Sequence, residues 1–359
     1  MEKNNDALTS YVQEHPNDRT MNRSERLSAL VQLGERLLKK NEYLEAVMHR
    51  AQFHNPWFTI DHQQQAIHNI ATYFLEAKAL ESWITNYDLS AVNAPKKVGL
   101  IMAGNIPLVG FHDWLSVFIT GHRALVKLSD KDPFLFPYLM KLLQEIDSRT
   151  TDYTQIVDKL SGFDAVIATG SNNSARYFEE YFSKYPNIIR KNRNGVAVLN
   201  GAETEEELRS LGHDVFDYFG LGCRNVSKLY VPEGYDFEPL LEALHEYRQI
   251  VLNTKYKNNF DYNYSLYILN KEPFKANGCI LLREEKAIPS RIASLHYEYY
   301  KSAEEVQHTL DEKRAEIQCV IAQPGSLPGY DTFAFGKAQQ PSLTDYADGA
   351  DTLDFLIGL

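Results

Sequence analysis

Gly220-Leu221-Gly222-Cys223-Arg224-Asn225 sets one thiol between glycines and a permanent cation. That grouping suits nucleophilic attack on a carbonyl. Glycines let backbone amides approach a ligand closely. Arg224 favours thiolate over thiol, and converging amides can hold the oxyanion that the attack creates. Cys223 has a plainer reading beside this one, because a free cysteine commonly serves as a small buried hydrophobe. Three more polar groups follow short apolar stretches earlier in the chain. They are Asn105 in Gly104-Asn105-Ile106-Pro107, then Lys127-Leu128-Ser129-Asp130, then Thr169-Gly170-Ser171.

Periodicity names the elements that must position these residues. Glu205 to Phe219 carries Leu208, Leu211, Val215, Phe216 and Phe219 at helical spacing. Val226 to Val231 alternates as a half-buried strand does, so Cys223 falls in a helix-to-strand turn. Lys97–Ala103, Ala124–Leu128, Phe163–Ala168 and Val196–Leu199 read as strands. Helices separate them. One has Pro107 in its first turn and stops at Gly121, one opens at Asp132-Pro133, and one follows Thr169-Gly170-Ser171-Asn172. Such alternation predicts βαβ units and a mainly parallel sheet. Ligands of an open α/β sheet bind beyond the carboxyl ends of its strands, where the first three polar groups stand.

The rest of the chain divides around that core. Residues 1–90 read as a helical lead-in, with residues 1–20 polar, a capping box at Asn22 and Glu25, and a first helix ending near Lys39-Lys40. A turn at Asn55–Thr59, a helix through Ala66, Ile67, Ile70, Ala71 and Phe74, and another from Ala79 to Tyr87 complete it, and Asn93-Ala94-Pro95 breaks the pattern. Its first reading is a cover for the core, its second a share in a substrate channel. Residues 91–204 form the expected nucleotide-binding domain and 205–334 the domain of the cysteine. Phe237–Tyr247 reads as a helix, and Tyr264–Leu269, Ile280–Leu282 and Cys319–Ala322 as strands. The aromatic and amide run Tyr256–Tyr264 reads as a loop, either folded onto the core or lining a pocket. Residues 335–359 could be an edge strand, an oligomerisation segment or a tuck into the chain's own core.

With 359 residues and 44% hydrophobic content, the chain is globular and can bury a large core. Its net charge of −11 counts against nonspecific nucleic-acid binding and against an anionic membrane surface, though not against a local basic pocket. Three cysteines make no disulfide framework and fit a reducing compartment. Met1–Asp6 lacks an apolar signal core, and no stretch is long enough for a membrane span. The expectation is a cytoplasmic protein. No His/Cys cluster has metal-ligand spacing.

The order of the four polar groups resembles the aldehyde dehydrogenase superfamily. A closer resemblance, over residues 50–359, is to the bacterial long-chain acyl-CoA reductases of the LuxC-like family. Asn55-Pro56-Trp57-Phe58-Thr59, Met102-Ala103-Gly104-Asn105-Ile106-Pro107, Phe219 to Ser227 and Asp345-Tyr346-Ala347-Asp348-Gly349 carry it. The resemblance implies an α/β, aldehyde-dehydrogenase-like fold: a Rossmann-type cofactor domain plus an α/β catalytic domain behind the helical lead-in. It implies NADPH-dependent reduction of an acyl-CoA to a fatty aldehyde through an acyl-cysteine on Cys223, in a homo-oligomer. By the same resemblance Asn105 helps hold the oxyanion, Lys127, Ser129 and Asp130 meet the adenosine ribose, and Thr169-Gly170-Ser171 meets the pyrophosphate. Asp130 tilts toward NADH, since a carboxylate suits a free 2′-hydroxyl.

Each role has a competitor. Asn105 could instead cap the Pro107 helix, Lys127 could be a solvated strand-end lysine, and His112 is either a proton shuttle or a core histidine. One departure bears on the reaction. Hydrolytic aldehyde dehydrogenases carry a Glu-bearing segment that activates water, and the comparable Ile188–Gly195 here is basic with no acid. Hydrolysis of an acyl-cysteine needs such a base, so its absence favours thioester reduction. The same run also reads as a solvated loop. Two rival functions stand: reduction of another activated acyl donor such as an acyl phosphate, and a catalytically silent scaffold of the same fold.

Overall fold

The computed structural model of the chain describes residues 20–92 and 94–359; the polar stretch 1–19 and Asn93 of the expected break lie outside the described residues. The lead-in holds α1 (Arg23–Leu37), α2 (Glu42–His54), α3 (Ile60–Asn69) and α4 (Ala77–Thr85). α1 opens on the expected capping box, with Asn22 and Glu25 each bonding the other's backbone. α2 escapes the periodicity because it buries only Leu44, Met48 and Ala51, a narrow stripe in a polar segment. α3 runs on into a π-turn, Ile70–Phe74, closed by a bond from Leu75 N–H to Ile70 O at 3.1 Å.

The first sheet contains β1 (Lys97–Ile101), β2 (Arg123–Lys127), β3 (Thr154–Ile156), β4 (Ala165–Thr169) and β5 (Asn187–Arg190). Its order is β3-β2-β1-β4-β5, all parallel. The crossovers are α5 (Phe111–Thr120), α6 (Leu135–Ile146) and α7 (Asn172–Phe182). The chain builds outward on one side of β1, then returns to its other side at β4. The crevice beyond β1 and β4 is therefore the switch point where such sheets take ligands. α5 begins at Phe111, not at Pro107. Leu108 has φ +58°, which ends any helix there and leaves Pro107 in a preceding turn. At the other end Gly121 stops α5 in the left-handed conformation, as expected.

The second sheet contains β6 (Asn194–Val198), β7 (Val226–Pro232), β8 (Lys275–Ala276), β9 (Leu281–Glu284), β10 (Ser294–Tyr300), β11 (Ile317–Ala322) and β12 (Thr332–Phe333), with α8 (Glu205–Phe216), α9 (Glu238–His245), α10 (Thr254–Leu269) and α11 (Ala303–Glu312). The order is β12-β11-β6-β7-β10-β9-β8, parallel except between β8 and β9. β6 pairs with β7 and β11. The break between sheets thus falls after Arg190, and the boundary at residue 204 is too late.

Two more expectations fail for stated reasons. Tyr256–Leu269 is one helix, α10, and neither a loop nor a strand. Its buried residues, Tyr256, Asn263 and Tyr267, share one helical face, while β-prone side chains elsewhere on it biased the local reading. β7 is central and covered on both faces, so Ser227 and Lys228 are buried with their apolar neighbours. The Lys228 ammonium bonds the Glu298 carboxylate at 2.9 Å and the Glu285 carbonyl. The tail tucks inward: α12 (Thr352–Ile357) puts Leu353 and Leu356, with Leu343, into the core shared by the lead-in and the first sheet.

Candidate active site

Cys223 sits in a loop that the chain bends hard and then buckles. After α8, Tyr218, Phe219 and Gly220 stand in the left-handed region with φ of 54°, 59° and 73°. Only glycine takes that conformation cheaply. His62 Nε2 receives the Tyr218 N–H at 3.1 Å, so the ring acts as an acceptor from the lead-in. Asn225, 1% exposed, ties the loop together. Its Oδ1 accepts from Gly222 N–H at 2.8 Å, and its Nδ2 donates to Asp214 O and Asp217 O at 3.0 and 2.9 Å. A Cβ on Gly222 would stand 2.8 Å from that Oδ1, so the buckle needs glycine there.

Asn105 lies beyond β1 and reaches across to this loop. Its Nδ2 donates to Leu221 O at 2.8 Å. The cap reading of Asn105 fails, because Gly110 precedes α5 and no side chain caps it. The amide keeps a second N–H for a ligand. Asp132 steadies the loop by accepting from Leu108 N–H at 2.8 Å. Burial pushes its carboxyl up to about 6. Gly104 lets β1 and β2 ends close together, since a Cβ there would stand 2.5 Å from Ser129 Oγ.

These loops border one cavity of about 600 Å³. Cys223, Asn105, Ser129, Thr169, Gly170 and Ser171 all line it, so the structure brings together most of the residues singled out in the sequence. Ser171 caps α7 by accepting from Ser174 N–H at 3.2 Å. Lys127 and Asp130 are not among the lining residues, and Lys131 is. Asp130 is exposed, and its carbonyl contacts His54 Nε2 at 2.7 Å. Just past a strand end, a shift of one or two residues turns a side chain elsewhere, and the sequence does not fix it.

Residues 32–246, more than half of the chain, match the family described as acyl-CoA reductase (LuxC). This chain belongs to that family. The curated long-chain acyl-protein thioester reductase 2 of Photobacterium leiognathi is 22% identical over 219 residues, covering 55% of this chain and 45% of the relative. The matched stretch thus spans about half the length of that relative. Among solved structures, an NAD-dependent aldehyde dehydrogenase from Sinorhizobium meliloti is 13% identical with a TM-score of 0.63, covering 86% of this chain and 72% of its own. An NADP-dependent enzyme from Escherichia coli is 12% identical, also at 0.63, over 85% and 74%. The fold of this LuxC-family chain is therefore the aldehyde dehydrogenase fold.

The electrostatics of the LuxC-family cysteine depart from expectation. Burial pushes the Cys223 thiol up, and this outweighs the downward pull of Arg224. The Asp348 carboxylate pushes it up further, and Arg190 pulls it down. Arg224 also has structural duties: its Nε donates to Ala338 O at 2.5 Å and its guanidinium lies 4.5 Å from the Phe333 ring centroid.

The basic run is only partly a solvated loop: Lys191 and Asn192 are exposed between β5 and β6, whereas Arg190 is buried. Arg190, 3% exposed, pairs with Asp113 at 2.7 Å and bonds Thr352 Oγ1 at 2.8 Å and the Ala347 carbonyl. Asp348, from the tail, accepts from Lys191 N–H at 3.2 Å and lies 3.4 Å from Arg193 Nε. Both Asp113 and Asp348 line the cavity. The run itself holds no acid, yet the fold returns carboxylates to it from distant segments, so the missing acid alone does not decide against hydrolysis. His112 lines the same cavity. Its Nε2 lies 3.0 Å from Leu343 O, and burial lowers its affinity for a proton. Rings of Phe74, Trp83 and Tyr346 surround it, which is the setting of a core histidine.

Proposed function

We propose that this chain reduces an acyl thioester to an aldehyde through an acyl-cysteine on Cys223. The observation that carries the reading is the bond from Asn105 to Leu221 O, two residues before the thiol. It ties an amide donor of the first sheet to the nucleophile loop of the second. Cys223 Sγ would attack the thioester carbonyl, and the Asn105 amide and Cys223 N–H would hold the oxyanion. Such a donor is worth about 3–4 kcal/mol in the transition state. The carrier thiol leaves, and an acyl-cysteine remains.

The residues beyond β1 and β4 fit a nicotinamide dinucleotide. The switch-point crevice, the α7 N-terminus capped by Ser171 and the side-chain-free Gly104 and Gly170 offer backbone and positive dipole to a pyrophosphate. Thr169, Gly170 and Ser171 would hold that group, with Ser129 and Lys131 toward the ribose; Lys127 and Asp130 would serve only a cofactor reaching past the cavity. A bound nicotinamide would supply the hydride. NADPH is our preferred donor and NADH the alternative. Asn105 would hold the same oxygen again as the reduced adduct releases aldehyde and Cys223 leaves as thiolate, an exit Arg224 favours.

Acyl-CoA is the preferred donor. An acyl-protein thioester is the second reading, because the curated relatives are named for that substrate. The test is single-turnover acylation with a radiolabelled long-chain acyl-CoA on wild type and Cys223→Ala, followed by NADPH or NADH. Label on wild type only, discharged as aldehyde, is the expected result. Discharge as free acid would point to hydrolysis. No label from acyl-CoA or from an acylated carrier protein would sink the reading and leave an acyl-phosphate reductase or a silent scaffold.

A further inference from the structure

Asp214, on α8, is fully buried, and the chemistry proposed above makes no use of its carboxylate. Its two oxygens divide between two backbone donors. Oδ2 accepts from Gly336 N–H at 2.6 Å and Oδ1 from Ala338 N–H at 2.8 Å. Two N–H groups that converge from one short turn need an acceptor with two oxygens, which a carboxylate supplies. A buried carboxylate is costly, and burial pushes this one up to about 7 although both bonds pull it down. Asparagine would avoid most of that cost but could hold only one of the two N–H groups.

The turn passes this constraint on to the cysteine loop. Ala338 is also fully buried, and its carbonyl accepts from Arg224 Nε at 2.5 Å. The Arg224 guanidinium lies 4.5 Å from the Phe333 ring centroid. Residues on both sides of Gly336 therefore grip the side chain that follows Cys223. The Asp214 carbonyl accepts from Asn225 Nδ2 at 3.0 Å. One residue of α8 thus reaches Asn225 directly and Arg224 through the turn. At Gly336 φ is +79°, and a Cβ there would stand 3.1 Å from Ser210 O, so the turn lies tight on α8. Just beyond it, Gln339 and Pro341 line the cavity.

We propose that Asp214 is a positioning residue for the nucleophile. It fixes the Gly336–Ala338 turn, and the Ala338 carbonyl then holds the Arg224 guanidinium at the thiol. The role deepens the acyl-cysteine reading of Cys223 and rests on it. Arg224, Arg190 and Asp348 are the charged groups that act on the thiol, and the buried Cys319 thiol lies 3.6 Å from Arg224 O. His213 and Asp217 act on Asp214. The sign of the effect separates positioning from a direct field. Loss of a negative charge by itself favours thiolate, whereas release of Arg224 disfavours it.

The experiment alkylates the full chain with iodoacetamide across a pH series and reads Cys223 by peptide mass spectrometry, since the thiolate is the form that reacts. Wild type is compared with Asp214→Asn, with Arg224→Met and with the double variant. Asp214→Asn should move the alkylation midpoint to higher pH, and the double variant should move it no further than Arg224→Met alone. Gly336→Ala displaces the turn with Asp214 intact. It should move the midpoint the same way, and it decides the matter if Asp214→Asn fails to fold. A midpoint that stays or falls, or a double variant that shifts by the sum of its parts, would overturn the role. The burst of p-nitrophenolate from p-nitrophenyl acetate is followed on the same proteins. Wild type should show a burst, and Asp214→Asn should slow it at pH 7.5. A wild-type burst with unmoved midpoints would overturn the role of Asp214 alone. No burst from wild type would overturn the acyl-cysteine reading, whatever the midpoints show.

Discussion

The Cys223 loop and the Ser171 turn border one cavity and are held in opposite ways. The cysteine loop stores strain: two bulky aromatics, Tyr218 and Phe219, stand in a left-handed conformation that costs about 1–2 kcal/mol per residue. Buried bonds through Asn225 and His62 offset it. The Ser171 turn is an ordinary strand-to-helix passage, exposed, and held by its own cap. A sulfur that must meet a carbonyl at fixed geometry needs the first arrangement. A cofactor that must arrive and leave is better served by the second.

If that contrast is right, the largest effect belongs to Asn225. Asn225→Ala removes three hydrogen bonds and leaves buried groups unpaired. It should destabilise the protein by about 3–5 kcal/mol in urea unfolding. A loss under about 1 kcal/mol would mean that the packed rings, not the buckle, hold the loop. Asn105→Ala comes next. It should slow acylation about 10²- to 10³-fold in a burst assay while costing roughly 1 kcal/mol of stability. Equal damage to both would make Asn105 a strut between the sheets and no oxyanion donor.

Arg224 sharpens the comparison through pH. Burial raises the Cys223 thiol and Arg224 lowers it, so removing the cation lets the thiol rise further. A thiol raised in this way is mostly protonated at neutral pH, and acylation should climb as pH rises toward its value. Arg224→Met should move that rising limb to higher pH and slow acylation at pH 7.5, read from the burst rate against pH. An unmoved limb would confine Arg224 to its bonds with Ala338 and Phe333.

The sequence made the Cys223 and Ser171 turns legible because each is local. Glycines, a capping serine and a change of period sit within a few residues of the functional group. The same holds for Asn105, whose strand and turn are adjacent to it, although the Leu108 kink that delays α5 leaves no local mark. What stayed hidden is long-range. Arg190 meets Asp113 and Ala347 across 77 and 157 residues, and Asp348 returns from the tail to a run that is basic on its own. The sign of the net shift on Cys223 was hidden for the same reason: Arg224 is visible in the sequence, whereas the burial that outweighs it depends on both sheets. α10 failed for the opposite cause, its β-prone side chains pulling the local reading away from a helix that burial of Tyr256 and Tyr267 secures.

The smallest effect tests the open side of the comparison. Ser171→Ala removes the cap of α7, a loss of about 1 kcal/mol to the helix. Ser174 N–H then loses its partner at the end that faces the cavity. The helix frays where its dipole would meet a pyrophosphate, so nucleotide affinity should fall about fivefold, read by titrating NADPH or NADH fluorescence. In the proposed mechanism the acylation burst uses Cys223 and Asn105, so it should fall by less than that. An equal fall in both would mean that the turn and the cysteine loop are mechanically coupled. The contrast between a clamped nucleophile and a loosely held cofactor turn would then fail.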